Sequence, residues 1–270
     1  MIRAPLRVPC SPLALGDAPL SAETTTYLTR VHRLVVGDTF LAFDPERATE
    51  ADAELIEISK RGAVARITAL RAASVLPSRA VTLIQGTCKG DKMDGIVRDA
   101  TELGATRIVP AITARSVARP DAARADRWRR IAVEAARQCG RGDAPIIDAP
   151  QALAAALASA EGAALRLCLD PTAETSLRSQ LEMVAAATNV TILVGPEGGL
   201  DDAELDAAAR EGFTRVRLGG LVLRTETVCA AVLGALVVWS EARDEAPQGS
   251  VSLSPLGSSS GSSRSASDQS

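Results

Sequence analysis

NVTILVGPEGGLDDAEL, residues 189–205, carries the reading on which the fold turns. Val190–Val194 reads as a strand that passes without a linker into Gly195-Pro196-Glu197-Gly198-Gly199-Leu200. Three glycines there let backbone approach a ligand closely, and Pro196 stiffens the turn. Asp201 followed by Glu204 is an N-terminal capping signal, so a helix is expected over 201–211. Taken alone the turn suits chain reversal as well as ligand binding. It is neither GxGxxG nor a P-loop, because no GK[ST] occurs in the chain.

The same rhythm extends outward in both directions. Val81–Gln85, Arg107–Val109, Pro145–Asp148, Leu165–Leu169 and Arg215–Leu218 are further candidate strands. Helical stretches are expected at 91–103, 121–139, 151–160, 174–187 and 226–242. This alternation predicts an α/β domain with a mainly parallel sheet, in which ligands bind beyond the carboxyl ends of the strands. Upstream the texture differs. Thr39–Phe43, Ala53–Ile58 and Ala63–Leu70 alternate like short strands, separated by turns at Gly37-Asp38, Asp44-Pro45 and Arg61-Gly62, with a helix expected over Ser21–Arg33. A small β-barrel over 1–73 is therefore expected, then a linker around Ser74–Arg79 within an α/β domain over 74–246. The Ser/Gly-rich end, 247–270, lacks the apolar residues to offset chain entropy and is expected to form no fixed structure.

Composition excludes several classes. The hydrophobic fraction is 46%, ordinary for a soluble globular chain. Six aromatic residues are too few for a base-stacking RNA platform. A net charge of −3 argues against a wholly basic nucleic-acid coat, and one histidine, His32, excludes a histidine-rich metal site; no metal is expected. Of the 30 basic residues, Lys60, Lys89 and Lys92 are the only lysines. Eight arginines crowd into 115–141 against Asp121, Asp126 and Glu134. Such a segment could meet phosphate, but charge alone favours a solvated helix face. The five cysteines show no paired spacing, as in a reducing compartment, and the N-terminus lacks the apolar run of a signal peptide. The longest apolar stretch, Val228–Trp239, is too short for a membrane span. A cytoplasmic protein without membrane contact is expected.

Three more clusters could carry chemistry. Leu218-Gly219-Gly220 ends a strand and leads through LVLRTET (221–227) into the apolar helix, so a second Gly-rich loop follows a second strand of one sheet. EAARQCGR (134–141) closes the Arg-rich helix, with Gly140 as its stop. ATELG (100–104) ends another helix ahead of IVPAITARS (108–116).

Together, ATELG…IVPAITARS, EAARQCGR, GPEGG and LRTET resemble, in this order, the RsmE-type ribosomal RNA methyltransferases of the SPOUT superfamily. The resemblance covers about 20–242 and is weakest in YLTRVHRLVVGDTFLAFD (27–44). It implies an N-terminal PUA-like β-barrel, a trefoil-knotted SPOUT-type α/β domain, S-adenosyl-L-methionine as methyl donor, and a homodimer. It also implies methylation of uridine N3 in small-subunit rRNA, free or in the assembled small ribosomal subunit. The donor is then expected against Leu169, Val194, Gly195, Pro196, Glu197, Gly198, Gly199, Leu218, Gly219, Leu221, Leu223, Arg224, Thr225, Glu226 and Thr227. Arg141 and Arg224 are the expected catalytic contacts, and Arg33, Arg115, Gln138 and Arg141 the expected RNA contacts. The chain departs from the family's usual residues at Asp99, Arg137, Leu221 and Val228. Asp99 and Arg137 are expected to pair with reversed polarity, and helix Val228–Trp239 to pack on its copy in a dimer. A catalytically silent RNA-binding or assembly factor remains the second reading, and a doubly wound nucleotide enzyme the third. The third lacks a fingerprint, since Gln85-Gly86-Thr87-Cys88-Lys89-Gly90 is not one.

Overall fold

The computed structural model describes residues 6–117 and 119–244; the serine-rich segment 247–270 lies outside them. The first sheet collects β1 (Arg7–Pro9), β2 (Gly16–Pro19), β3 (Thr39–Asp44), β4 (Thr49–Ser59) and β5 (Gly62–Ala72) in the order β1-β3-β4-β5-β2. Only β1 and β3 run parallel. Register shifts between Glu50 and Asp52 and between Leu55 and Glu57 mark bulges, which bend and twist a long strand. One face of this sheet closes on Val8, Leu28, Phe40, Ala42, Ala53, Ala65 and Ile67. The edge strands β1 and β2 escaped the sequence reading because they are short and carry Pro9 and Pro19, residues tolerated at sheet edges.

The helix expected over Ser21–Arg33 divides in two. It starts as predicted from a cap, with the Ser21 hydroxyl accepting the Thr24 N–H at 3.0 Å, and runs as α1 (Ala22–Thr26). It then widens into a π-helical turn, Tyr27–Val31. Thr26 and Thr29 donate their hydroxyls to the carbonyls four residues back, which bends helices locally.

The second sheet is wholly parallel. Its strands are β6 (Ala80–Gly86), β7 (Arg107–Ile112), β8 (Ile146–Ile147), β9 (Gln151–Ala152), β10 (Leu165–Leu169), β11 (Asn189–Val194) and β12 (Thr214–Val216). The spatial order is β12-β10-β11-β6-β7-β8, with β9 also on β7. The helices are α2 (Lys92–Glu102), α3 (Ala122–Cys139), α4 (Leu153–Ala158), α5 (Leu181–Ala186), α6 (Asp202–Arg210) and α7 (Thr225–Asp244). The helix expected over 174–187 is a 3-10 turn, Leu177–Gln180, followed by the short α5, and β9 occupies the start of the one expected over 151–160.

Period-two alternation sends successive strand residues to opposite layers. Leu83, Ile192, Leu167 and Val216 face α2, α3, α5 and α7, against Met93, Ile96, Trp128, Val184, Val232 and Leu233. Ile84, Leu193, Cys168 and Val109 face α4 and α6, against Leu157, Leu205 and Phe213. Each such Leu, Ile or Val contributes about 1.5–3 kcal/mol by leaving water. One half-buried polar group ties α2 to α3: Asp94 accepts Trp128 Nε1–H at 3.1 Å and pairs with Arg127 at 2.5 Å.

Two features position the site. The chain crosses from the β7–β8 side of β6 to the β10–β11 side, which leaves a crevice at the carboxyl ends of β10 and β11. After β12, at the sheet edge, α7 returns to pack on α2 and α5 beneath the sheet centre. The end of α3 joins the two sheets. Arg137 Cζ sits 4.6 Å from the Tyr27 ring centroid with Nη1 bonded to the tyrosine hydroxyl, and Arg7 donates to the Arg141 carbonyl at 3.2 Å.

Candidate functional site

A cavity of about 650 Å³ opens at the carboxyl ends of β10 and β11. Leu169–Thr172 after β10, Val194–Leu200 after β11 and the loop between β12 and α7 form its walls, with Arg115 and Lys92 at the rim. Of the fifteen residues expected at the donor, all but Gly219 and Thr227 line it. Gly219 instead supplies the left-handed turn of its loop, with φ +73°, and Thr227 is exposed on the first turn of α7.

Backbone closeness explains the glycines. A Cβ on Gly86 would lie 2.5 Å from both N and Cδ of Pro196, so the end of β6 can touch the 195–200 loop only as glycine. A Cβ on Gly195 would stand 3.0 Å from the Gly199 carbonyl carbon. Gly199 has φ +70°, and its N–H closes the turn on the Pro196 carbonyl at 2.9 Å. A side chain on Gly198 would meet the Arg115 stem at 3.1 Å, and Arg115 Nη1 donates to the Gly198 carbonyl at 2.8 Å, strapping the loop from outside. The capping box of α6 forms as expected, Asp201 and Glu204 each accepting the other's N–H.

The second loop is pinned to the first by Thr225, which was expected at the donor, and by Gln85, which was not. Thr225 Oγ1 donates to the Gly195 carbonyl at 2.7 Å, and the buried Gln85 amide donates to Thr225 Oγ1 at 3.0 Å and to the Gly195 carbonyl at 3.3 Å. In the sequence the one signal for Gln85 is that a polar residue ends the apolar strand Val81–Gln85.

The charges at the cavity are unevenly committed. Glu197 pairs with Lys92 at 3.1 Å and accepts the Lys89 N–H at 3.1 Å. Burial would raise its carboxyl, but hydrogen bonds from its own N–H, Lys92 and Lys89 outweigh that and hold it low. Asp170 likewise meets burial, yet Thr172 and Arg215 hold it below its ordinary value. Arg224 makes no side-chain hydrogen bond or ion pair among the described residues, and its guanidinium is exposed. Glu226 Oε2 is buried without a hydrogen-bond partner. Burial pushes the thiols of Cys88 and Cys229 up to about 12, so neither is a nucleophile near neutrality. Among the described residues no group of three or more His, Cys, Asp or Glu is placed to hold a metal ion.

The arginine expectations divide. Arg224 and Arg115 reach the cavity; Arg141 does not. Arg141 is 4% exposed, and its guanidinium donates to the Thr101 and Ala105 carbonyls at 2.7 and 3.0 Å and to both oxygens of Asp143 at 2.8 Å. The expected catalytic and RNA contact of Arg141 is corrected: Arg141 clamps the end of α2 to the loop after α3. Gln138 donates to Glu134 on α3, and Arg33, exposed with φ +57°, closes the π-helical turn of the first domain; neither lines the cavity. The expected Asp99–Arg137 pair does not form, because Asp99 pairs with Arg98 at 2.9 Å and Arg137 with Glu134 on its own helix. The apolarity of α7 is met largely within the chain, where Cys229, Val232, Leu233 and Leu236 are buried, while Val238 is 65% exposed. No helix among the described residues is long and apolar enough to cross a membrane.

Known proteins share this architecture. A family model described as the RNA methyltransferase domain matches residues 75–237, and one described as the RNA methyltransferase PUA domain matches 20–68. Ribosomal RNA small subunit methyltransferase E of Mycobacterium bovis is 35% identical over 233 residues, 83% of this chain and 84% of its own. That of Synechocystis is 32% identical over 239 residues, 86% and 78% of the two chains. The crystal structure of the Neisseria gonorrhoeae protein of that name, bound to S-adenosyl methionine, superposes with a TM-score of 0.79 at 28% identity, covering 87% of this chain and 97% of that one.

Proposed function

The chain belongs to the ribosomal RNA small subunit methyltransferase E family, and from that premise we propose that it transfers a methyl group from S-adenosylmethionine to N3 of a uridine in small-subunit rRNA. The observation that carries the reading is the cavity walled by both the 195–200 and the 218–226 segments. Its volume suits a cofactor of this size. Leu169, Val194, Leu218 and Leu223 offer apolar walls for an adenine ring, and the loop backbones, bare of Cβ at Gly195, Gly198 and Gly199, offer hydrogen-bonding groups to its edge. The residues therefore fit the donor. When bound, its sulfonium supplies an electrophilic methyl carbon.

The protein's own contribution is positional and electrostatic. Thr225 and Gln85 hold the two loops in register, so a base entering the cavity meets a fixed wall. Arg224, uncommitted and exposed, is suited to a uracil oxygen or a neighbouring phosphate, a contact that strengthens as negative charge grows on the base. Arg115, at the rim, and Arg33, on the first domain, are suited to the RNA backbone. Domain limits at 1–73 and 74–246 belong to this reading, supported by the end of β5 at Ala72 and the start of β6 at Ala80. So do the knot, closed by the return of α7, and residence in the cytoplasm with rRNA or the small subunit as partner.

A homodimer through α7 is supported by the exposed Leu221, Val222, Val238 and Trp239 at its two ends; light scattering at micromolar concentration should give twice the chain mass. The deciding experiment incubates the protein with donor and small-subunit rRNA, free and assembled, and identifies the nucleoside formed. N3-methyluridine is the expected product. Binding of S-adenosylhomocysteine without any product would instead mark a silent assembly factor.

A further inference from the structure

Resting on that methyltransferase reading, we infer that Glu226 is the catalytic residue that accepts the N3 proton of the target uridine. A buried polar atom without a partner is uncommon in a folded protein and calls for an explanation. Glu226 Oε2 is such an atom, on a residue that lines the cavity. Of the other carboxylates that line the cavity, Asp170 is used by Arg215 and Thr172 and Glu197 by Lys92 and the Lys89 N–H, while Asp202 is exposed at the start of α6.

Placement strengthens the assignment. Thr225, the preceding residue, is tied to the Gly195 carbonyl and to Gln85, so the first turn of α7 cannot drift from the donor loop. Arg224, on the other side of Thr225, has a free guanidinium. The Watson–Crick edge of uracil presents acceptor, donor, acceptor in sequence: O4, N3–H, O2. A carboxylate oxygen accompanied by a free guanidinium is the matching pattern, the first accepting N3–H and the second donating to a flanking oxygen. The charged and titratable groups around Glu226 are Cys88 after β6, Lys92 on α2, Glu197 on the donor loop and Arg224 beside it. In the transfer the N3–H proton passes to Glu226 and the pair left on N3 forms the bond to the methyl carbon. The carbon–sulfur pair departs with sulfur, leaving a neutral sulfide, and Glu226 later returns its proton to solvent.

Glu226→Gln tests this, because it keeps size and polarity while removing the basic oxygen. Three measurements are made on the full chain: S-adenosylhomocysteine affinity by calorimetry, melting temperature, and methylation rate from pH 7 to 9. The proposal expects affinity within about threefold of the parent, an unchanged melting temperature, and a rate lower by roughly 100-fold or more. The residual rate should rise about tenfold per pH unit, because N3 must then ionise without help, and RNA carrying 5-fluorouridine, whose N3 is more acidic, should recover part of it. An undiminished rate overturns the proposal. A tenfold or greater loss of S-adenosylhomocysteine affinity overturns it too, assigning Glu226 to the donor instead. If the parent protein neither binds S-adenosylhomocysteine nor methylates rRNA, the underlying reading fails, a result visible before any variant is made.

Discussion

Replacing Arg141 with alanine separates a structural arginine from a catalytic one. Its guanidinium is shared among the Thr101 and Ala105 carbonyls and the Asp143 carboxylate, and the side chain is only 5% exposed. Alanine leaves the buried Ala105 carbonyl unpaired, at about 1–3 kcal/mol, while the Thr101 carbonyl keeps the Gly104 N–H at 3.2 Å. It also leaves Asp143 without its cation, and breaking a buried pair from one side costs about 3–5 kcal/mol. These losses share one network and do not add, and Asp143, 21% exposed, regains some water. A net destabilisation of about 3–5 kcal/mol follows, and at roughly 2–4 °C per kcal/mol the melting temperature should fall by about 6–20 °C. S-adenosylhomocysteine affinity, measured well below the transition, should stay within about twofold, because no Arg141 atom lines the cavity. Arg141→Lys should recover less than half of the loss, since one ammonium cannot serve a bidentate carboxylate and two carbonyls together. An alanine variant that melts like the parent yet fails to methylate RNA would refute this account and return Arg141 to the reaction.

Further outcomes follow from other contacts. Gly86→Ala should weaken S-adenosylhomocysteine binding at least tenfold with little change in circular dichroism, because a Cβ 2.5 Å from the Pro196 backbone must displace the donor loop; parental affinity would show that the approach is not needed. Native protein at pH 8 should alkylate quickly at the exposed Cys139 alone, whereas burial pushes Cys88, Cys168 and Cys229 to about 12 and Cys10 to about 11, so these should react only on unfolding. Mass mapping of the labelled peptides decides. Glu134 is held below its ordinary pKa chiefly by the Arg137 hydrogen bonds, against burial. The stability it contributes is therefore full above the pKa of the unfolded chain and is lost as pH falls through the lower folded value. Glu134→Gln should flatten that acid-side decline in denaturant titrations, and an unaltered slope would show the pair to be idle.

Sequence by itself determined whatever is local in cause. Apolar runs ending in glycine marked β11 and its loop, because a strand's side-chain pattern and a turn's φ demands are properties of neighbouring residues. The Asp201–Glu204 box and the left-handed Gly140 that stops α3, φ +85°, are of the same kind, each closing within four residues. The two Gly-rich loops of the cavity wall were legible for that reason. The resemblance carried by GPEGG and LRTET named the same residues.

What the tertiary structure alone decided depends on groups far apart in the chain. Gly86 matters because Pro196, 110 positions later, rests on it, and Gln85 because it reaches Thr225. Arg141 and Arg224 are alike in sequence, each an arginine beside a Gly-rich or polar turn, yet one is enclosed and one free. The difference lies in which carbonyls the folded chain brings within reach of a guanidinium. Arg137 and Asp99 likewise found nearer partners: Glu134 lies one turn before Arg137 on the same helix face, and Arg98 folds back onto Asp99, while a charge on a neighbouring helix requires matched facing. Local pattern chose the elements and their ends; which side chains share an enclosed, low-dielectric space was settled only when those elements packed.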